Sequence, residues 1–241
     1  MVDAKKDLIT RLQKNILQWE GYRPSSLATQ QSFGLDDIEN NFPNKIFPTA
    51  TVHEMVCENT EQATTCIGFV SALLAVLMQT GGVCLWISLS DNVYPTALKA
   101  FGIEPDKIIF VKLSKDKDVL WVMEEALKCV GLVAVIGELS DIDFKQSRRL
   151  QLAVEQSRVT GFIMRNKYDK MGSTACAARW QIKPLLSEPI DGLPGLGFPR
   201  WQVELLRARN GKPGSWILEW SAGQFRFIKQ EILQEQLQNI G

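Results

Sequence analysis

GLVAVIGELSDIDFKQSRRLQLAVEQSRVTGFIMR, residues 131–165, decides how this chain is read. Its opening run, LVAVI at 132–136, is continuously apolar and reads as a strand buried on both faces. Residues 143–157 carry a helical pattern, and 160–165 form a second apolar strand. Strand, helix and strand in that order belong to a parallel sheet covered on both sides. The alternation extends upstream. Residues 51–56 read as a strand, 63–79 as a mostly apolar helix ending at Gly81-Gly82, and 83–89 as a buried strand. A helix over 94–101 closed by Gly102, a strand over 107–113 and a helix over 117–129 complete the series.

Downstream the pattern changes. Residues 166–174, NKYDKMGST, read as a loop, and 175–183 as a strand followed by a Pro/Gly-rich connection over 184–199. Residues 200–208 and 215–220 flank RNGKPG and predict an antiparallel hairpin. A tail from 227 to 240 is weakly helical. At the other end, 3–20 predicts an amphipathic helix and 21–31 a polar linker, and a loop-like segment follows with a short helix around 35–40. The expected organisation is therefore helix and linker over 1–31, an α/β core with its hairpin over 32–224, and a tail over 225–241. No internal repeat is visible.

Composition narrows the function classes. The chain has 241 residues, 45% hydrophobic and 22% charged, which is enough apolar material for a core. Lys plus Arg equals Asp plus Glu at 27 each, so a strongly basic DNA-wrapping protein is not expected. The five cysteines (Cys57, Cys66, Cys84, Cys129, Cys176) show no zinc or redox spacing and read as reduced core thiols, as in a cytoplasmic protein. One histidine cannot build a metal cluster, so no metal or cofactor is expected. The amino terminus, MVDAKKDLITRL, does not read as a signal peptide. The longest apolar run, 67–78, is too short to cross a bilayer.

Several stretches together resemble one family. They are HE at 53–54, LWISLSDNVYPTALKAFGIEPDKIIFVK at 85–112, DVLWVMEEAL at 118–127, the stretch 131–165, ACAARW at 175–180 and GFPRWQVELLRARNGKPGSWILEW at 197–220. This pattern is similar to the ImuA family, the RecA-related accessory proteins of inducible bacterial mutagenesis. The resemblance implies a RecA-like, mostly parallel sheet with helices on both faces and a C-terminal antiparallel hairpin. It also implies work through partners in SOS-induced translesion synthesis. Those partners would be ImuB, an inactive relative of the Y-family polymerases, and an error-prone polymerase, with RecA, single-stranded DNA and self-association as further expectations.

The nucleotide-handling positions depart from the RecA pattern. An ATP-using relative has a glycine-rich loop ending Gly-Lys-Thr or Gly-Lys-Ser, whose amides, lysine and hydroxyl hold phosphates and magnesium. Here the equivalent is CENTEQATT at 57–65. Cys57 and Gln62 stand where glycines would be, Ala63 replaces the lysine, and only Thr64 or Thr65 could serve a metal. Glu58 and Glu61 add repulsion. Ser90 stands where a water-activating glutamate would be, and Gly137 followed by Glu138 where a metal-associated aspartate would be. The expectation is a pseudo-ATPase without catalytic residues. The rival readings are an ATP-dependent recombinase or motor and a direct single-strand DNA binder.

Other residues carry two readings each. His53 is read as a structural histidine rather than a base, and Glu124 and Glu125 as solvated helix positions. Arg165, Lys167, Tyr168, Lys170, Arg179 and Trp180 are candidates for nucleic-acid or partner contact, because cations beside aromatics suit single strands. The favoured alternative is a solvated loop with Trp180 packed beneath it, since Asp169 dilutes the charge. In the hairpin, Trp201, Val203 and Leu205 share one face, as do Trp216, Leu218 and Trp220. Arg200, Arg207, Arg209 and Lys212 cluster at its ends and read as solvated. Finally, Leu8, Ile9, Leu12, Ile16 and Trp19 form the apolar stripe of a candidate docking helix. The tail residues Ile228, Ile232, Leu233 and Leu237 suggest a second docking segment.

Overall fold

A computed structural model describes residues 33–166, 172–187 and 197–228. Among these residues one sheet is built from β1 (Val52–Val56), β2 (Val83–Ser88), β3 (Ile108–Lys112), β4 (Leu132–Leu139), β5 (Thr160–Arg165), β6 (Ala178–Leu185), β7 (Arg200–Ala208), β8 (Gly214–Ser221) and β9 (Gln224–Phe227). Its order is β3-β2-β4-β5-β1-β6-β7-β8-β9. Neighbours from β3 to β6 run parallel, and β6 to β9 run antiparallel. The chain is thus α/β with a mostly parallel sheet, helices on both faces and antiparallel strands at the C-terminal side.

Strand side chains alternate between faces, and the helices divide accordingly. α1 (Asp36–Glu39) is short; α2 is Thr60–Leu77, α3 Asp116–Leu127 and α4 Phe144–Ser157. Phe69, Val70, Leu73 and Leu74 of α2 pack with Met55, Trp86, Ile136, Phe162 and Trp180 on one side of the sheet. Val119, Met123 and Leu127 of α3, with Leu150 and Val154 of α4, pack with Val52, Ile87, Val135 and Ile163 on the other. Each fully buried large apolar side chain contributes about 1.5–3 kcal/mol, so both faces hold the sheet. By length and apolarity α2 with its last turn (Thr60–Thr80) could cross a membrane, which the sequence reading of 67–78 missed. Its burial against the sheet accounts for that composition.

Local signals set the boundaries. α4 begins one residue later than expected because Asp143 is its cap. The Asp143 carboxylate accepts from the Gln146 amide at 2.7 Å while the Gln146 side chain accepts from the Asp143 amide at 2.9 Å. The helix expected over 94–101 is a 3-10 helix, Pro95–Phe101, closed by Gly102 at φ 81°. β4 runs on to Leu139, past Gly137 and Glu138, and so is longer than its apolar run suggested. The tail needs correction too. A turn at Ala222 (φ 52°) and Gly223 (φ 74°) returns the chain as β9, so the sheet runs past 224 and Phe227, where the expected helix begins, pairs with β8; residues 229–240 lie outside the described residues. The hairpin turn is anchored at long range: the Asn41 side chain donates to the carbonyls of Lys212 (3.1 Å) and Pro213 (2.9 Å).

β5 reaches its parallel second neighbour, β6, across β1, through residues 166–177. The described part of this return, 172–177, contains no helix. It lies along α4, where the Ala175 amide donates to the Ser147 hydroxyl at 3.0 Å, and the Ala177 amide donates to the Val52 carbonyl at 2.8 Å.

Candidate functional site

The junction of β1 and α2 is where a phosphate-binding loop would lie. Only Cys57, Glu58 and Asn59 separate the strand from the helix. Asn59 caps α2, accepting from the Gln62 amide at 2.8 Å. The Gln62 side chain turns back to accept from the Glu58 amide (3.1 Å) and donate to the Glu58 carboxylate (3.0 Å). The Ala63 amide donates to the Asn59 carbonyl at 3.0 Å. Three amides that could face an anion thus already have partners inside the chain. The hydroxyls of Thr64 and Thr65 donate to the carbonyls of Thr60 (3.1 Å) and Glu61 (2.8 Å), one helical turn back. Glu58 and Glu61 are exposed at the same end and present negative charge to any approaching phosphate.

Behind this junction Cys57 and Cys66 meet, although the sequence showed no close thiol pair: their sulfurs are 3.2 Å apart. The bond with Cys57, then burial, holds the Cys66 thiol well above its ordinary range. Cys84 and Cys176 are pushed up to about 12, mainly by burial. Cys129, expected in the core, is exposed.

The structure does bring Ser90 and Glu138 together. Ser90 donates to one carboxylate oxygen of Glu138 at 3.0 Å and the Trp86 indole to the other at 3.3 Å. Burial raises the Glu138 pKa, and these two bonds oppose the rise. The preceding position, Gly137, faces the opposite side of the sheet. A Cβ there would come within 2.6 Å of the Met123 sulfur, so a carboxylate at 137 would enter the apolar cluster of α3.

His53 is enclosed by aromatic rings. Phe47 stacks on it at 5.0 Å, and Phe162 at 5.3 Å. Its Nδ1 accepts from the Trp180 indole at 3.2 Å, which leaves Nε2 to donate to the Pro48 carbonyl at 2.7 Å. Burial pushes its pKa down to about 4, against the bond to Pro48. Both nitrogens are occupied within the core, which leaves no base facing solvent.

The next residue, Glu54, points to the other face and is fully buried. Arg165 at the end of β5 donates to one of its oxygens at 3.1 Å; Arg179 of β6 (2.9 Å) and the Thr174 hydroxyl (2.7 Å) donate to the other. Arg165 also pairs with Asp141 at 2.6 Å. This cluster corrects the readings of Arg165 and Arg179, which are neither contact residues nor solvated, whereas the packing of Trp180 agrees with the favoured alternative. Both arginines are inside, neutralising a buried carboxylate that needs them, and Trp180 is in the aromatic core, wholly buried. Lys167, Tyr168 and Lys170 lie outside the described residues. The sequence reading missed Glu54 as the centre of this cluster. The available signal was a glutamate inside the buried strand VHEMV, since such a charge requires a cation.

The hairpin arginines are likewise not simply solvated. Arg200 is buried against Glu219 at 2.7 Å. Arg207 donates to the carbonyls of Thr174 (2.8 Å) and Cys176 (2.7 Å), and Arg209 to that of Ala175. They clip the return segment to the end of β7. The tryptophan rows of the hairpin share the α2 face, as alternation predicts. Glu124 is mostly covered, pairing with Arg149 at 2.5 Å, while Glu125 is exposed and meets Lys128. Among the described residues no group of His, Cys, Asp or Glu is placed to hold a metal ion. The candidate docking stripe Leu8, Ile9, Leu12, Ile16 and Trp19 lies outside the described residues, as do Ile232, Leu233 and Leu237.

No family model matches the chain. It is, however, 32% identical over 216 residues to Protein ImuA from Caulobacter vibrioides strain NA1000 / CB15N, across 83% of this chain and 88% of that protein. Protein ImuA from a second Caulobacter vibrioides strain, CB 15, matches to the same extent.

Proposed function

The chain belongs to the ImuA family, and from that premise we propose that it is a non-catalytic accessory protein of damage-induced mutagenesis, a RecA-like fold that acts by binding partners. In translesion synthesis it helps to assemble or position an ImuB-like relative of the Y-family polymerases and an error-prone polymerase, in the cytoplasm. The observation that carries the non-catalytic part is the β1–α2 junction. Three residues connect strand and helix, and Asn59, Gln62 and Glu58 occupy one another and the local amides. A triphosphate would have to displace those bonds and approach two exposed glutamates without a lysine. The Ser90–Glu138 pair supports the same reading, because a carboxylate with both oxygens hydrogen-bonded and a raised pKa is poorly suited to hold magnesium.

The test is thermal melting with ATP and magnesium at millimolar concentration. A site filled at a hundred times its Kd adds about 2.7 kcal/mol, so binding of any useful strength moves the transition. No shift is expected. A saturable rise in Tm, lost when Thr64 and Thr65 are both changed to alanine, would restore the ATP-dependent recombinase or motor reading. The partner half is tested separately, by co-purification from DNA-damaged cells of the strain encoding this chain. Recovery of an ImuB-like polymerase relative is expected, and its repeated absence counts against the scaffold role.

A further inference from the structure

Cys57 follows β1 directly, and Cys66 sits in the second turn of α2. Only three residues join the strand to the helix, and the reversal brings the two sulfurs to 3.2 Å. Both thiols are buried in the apolar cluster of the α2 face. A disulfide holds its sulfurs about 2.0 Å apart, so closing this pair asks for an approach of about 1 Å. The other three thiols have different company. Cys84 bonds the Ala134 backbone, Cys176 bonds the Thr174 hydroxyl, and Cys129 is exposed.

The pair lies just beneath the surface. Cys57 is followed by Glu58, Asn59 and Thr60, all exposed, which lead into α2. Such helix ends open locally at far less cost than the whole fold. Hydrogen peroxide is hardly larger than water and enters through an opening that excludes a bulky reagent. Cys66 lies deeper, inside the helix. The bond to Cys57 and then burial hold its thiol well above the ordinary range, so it stays protonated. The two sulfurs therefore have different roles: Cys57 meets the oxidant and Cys66 resolves the product.

We propose that Cys57 and Cys66 are a reversible disulfide site, oxidised by hydrogen peroxide and reduced by a small thiol. In the first step the Cys57 sulfur takes one peroxide oxygen and the O–O bond breaks. Cys57 becomes a sulfenic acid, and its proton leaves with the second oxygen as water. In the second step the Cys66 sulfur displaces the sulfenic hydroxyl. The S–S bond forms, the S–O bond breaks, and the Cys66 proton leaves with the hydroxyl as a second water. Two thiols are oxidised and one peroxide is reduced. Reduction by two molecules of a small thiol returns both protons and leaves that thiol as its own disulfide. The bond ties the end of β1 to α2 and makes the closed junction covalent. This site goes beyond the accessory role and does not depend on it.

The test is a peptide map. The full chain is reduced, freed of reductant, treated with hydrogen peroxide, quenched with N-ethylmaleimide in denaturant, and cut with Glu-C and chymotrypsin. The expected product joins residues 55–58 to residues 62–69, with Cys84 and Cys176 still alkylated as free thiols, and dithiothreitol should separate it. Cys66→Ala should leave Cys57 as a sulfenic acid that dimedone labels, about five-fold or more above the label at Cys66 in Cys57→Ala. If either variant fails to fold, the map of the parent chain decides. A pair that stays reduced while Cys129 is oxidised overturns the proposal and leaves the two thiols as core packing. Linkages that form only in urea, or that take in Cys84 or Cys176 as readily, also overturn it, because they arise from the unfolded chain. Stronger dimedone labelling at Cys66 than at Cys57 overturns the assigned roles.

Discussion

Adjacent residues of β1 serve two faces built on different principles. His53 and Met55 enter the α2 face, where Phe47, Phe162, Trp180 and Trp86 surround them and the few polar atoms are matched singly. Glu54, between them, enters the α3/α4 face, where Arg165, Arg179 and Thr174 converge on one carboxylate. The first face is held by area, which many hydrophobic residues can supply. The second has an apolar cluster of its own and adds to it a specific charge arrangement around Glu54. On the first, the β1–α2 junction is closed by its own side chains.

The comparison is broken most forcefully at Glu54. Glu54→Gln removes the buried carboxylate that Arg165 and Arg179 share, with Arg165 keeping Asp141, and should cost about 3–5 kcal/mol in urea unfolding. A loss below about 1 kcal/mol would mean that solvent reaches the cluster and that the faces do not differ in this way. Next in size is the acid response of the α2 face. An unfolded histidine takes up its proton near pH 6.5, and the buried one resists until about 4. The folded state therefore binds fewer protons within that window. Its stability is complete above pH 6.5 and falls as pH drops toward 4, by about 3 kcal/mol from this group. His53→Gln, which does not titrate, should flatten that part of the pH profile relative to the parent.

A smaller effect sharpens the reading of the junction. Asn59→Ala removes the cap of α2 and should cost about 1 kcal/mol, whereas Thr64→Ala, exposed and bonded only to its own helix, should change stability by less than about 0.5 kcal/mol. If Asn59→Ala is silent, the cap does not close the junction. The smallest effect leaves stability untouched. One thiol per native chain, Cys129, should react promptly with a bulky disulfide reagent, and the four buried thiols only as the protein unfolds.

Most strands were legible because a parallel sheet covered on both faces demands apolar runs, and VCLWIS, LVAVI and TGFIMR meet that demand within short range. β9 was hidden because its turn places alanine, not asparagine or aspartate, at a positive φ. The far end of β4 was hidden because Gly137 and Glu138 interrupt the apolar run that marks it. The site was far less legible. Arg165 and Arg179 stand 111 and 125 residues from Glu54, so nothing local assigns them to it. The same basic residues read equally well as a surface patch until the fold puts them inside. Conversely, that residues 57–65 carry neither glycine nor lysine is plain from the sequence alone, because it is a matter of local composition.

The position of β1 has a consequence for how the chain is made. Its two neighbours in the sheet, β5 and β6, begin at Thr160 and Ala178, so the first strand of the sheet is completed only by much later sequence. At about 5–20 residues per second, the hundred or so residues between β1 and β5 occupy a ribosome for on the order of ten seconds. During that interval five strand residues that end fully buried have no edge to join, and Glu54 has no arginine. The nascent chain therefore carries an apolar strand around an unmatched acid. That charge keeps the waiting segment hydrated and disfavours its pairing with other chains. The arginines of β5 and β6 neutralise it as they emerge, which couples closure of the sheet's centre to the arrival of the correct strands.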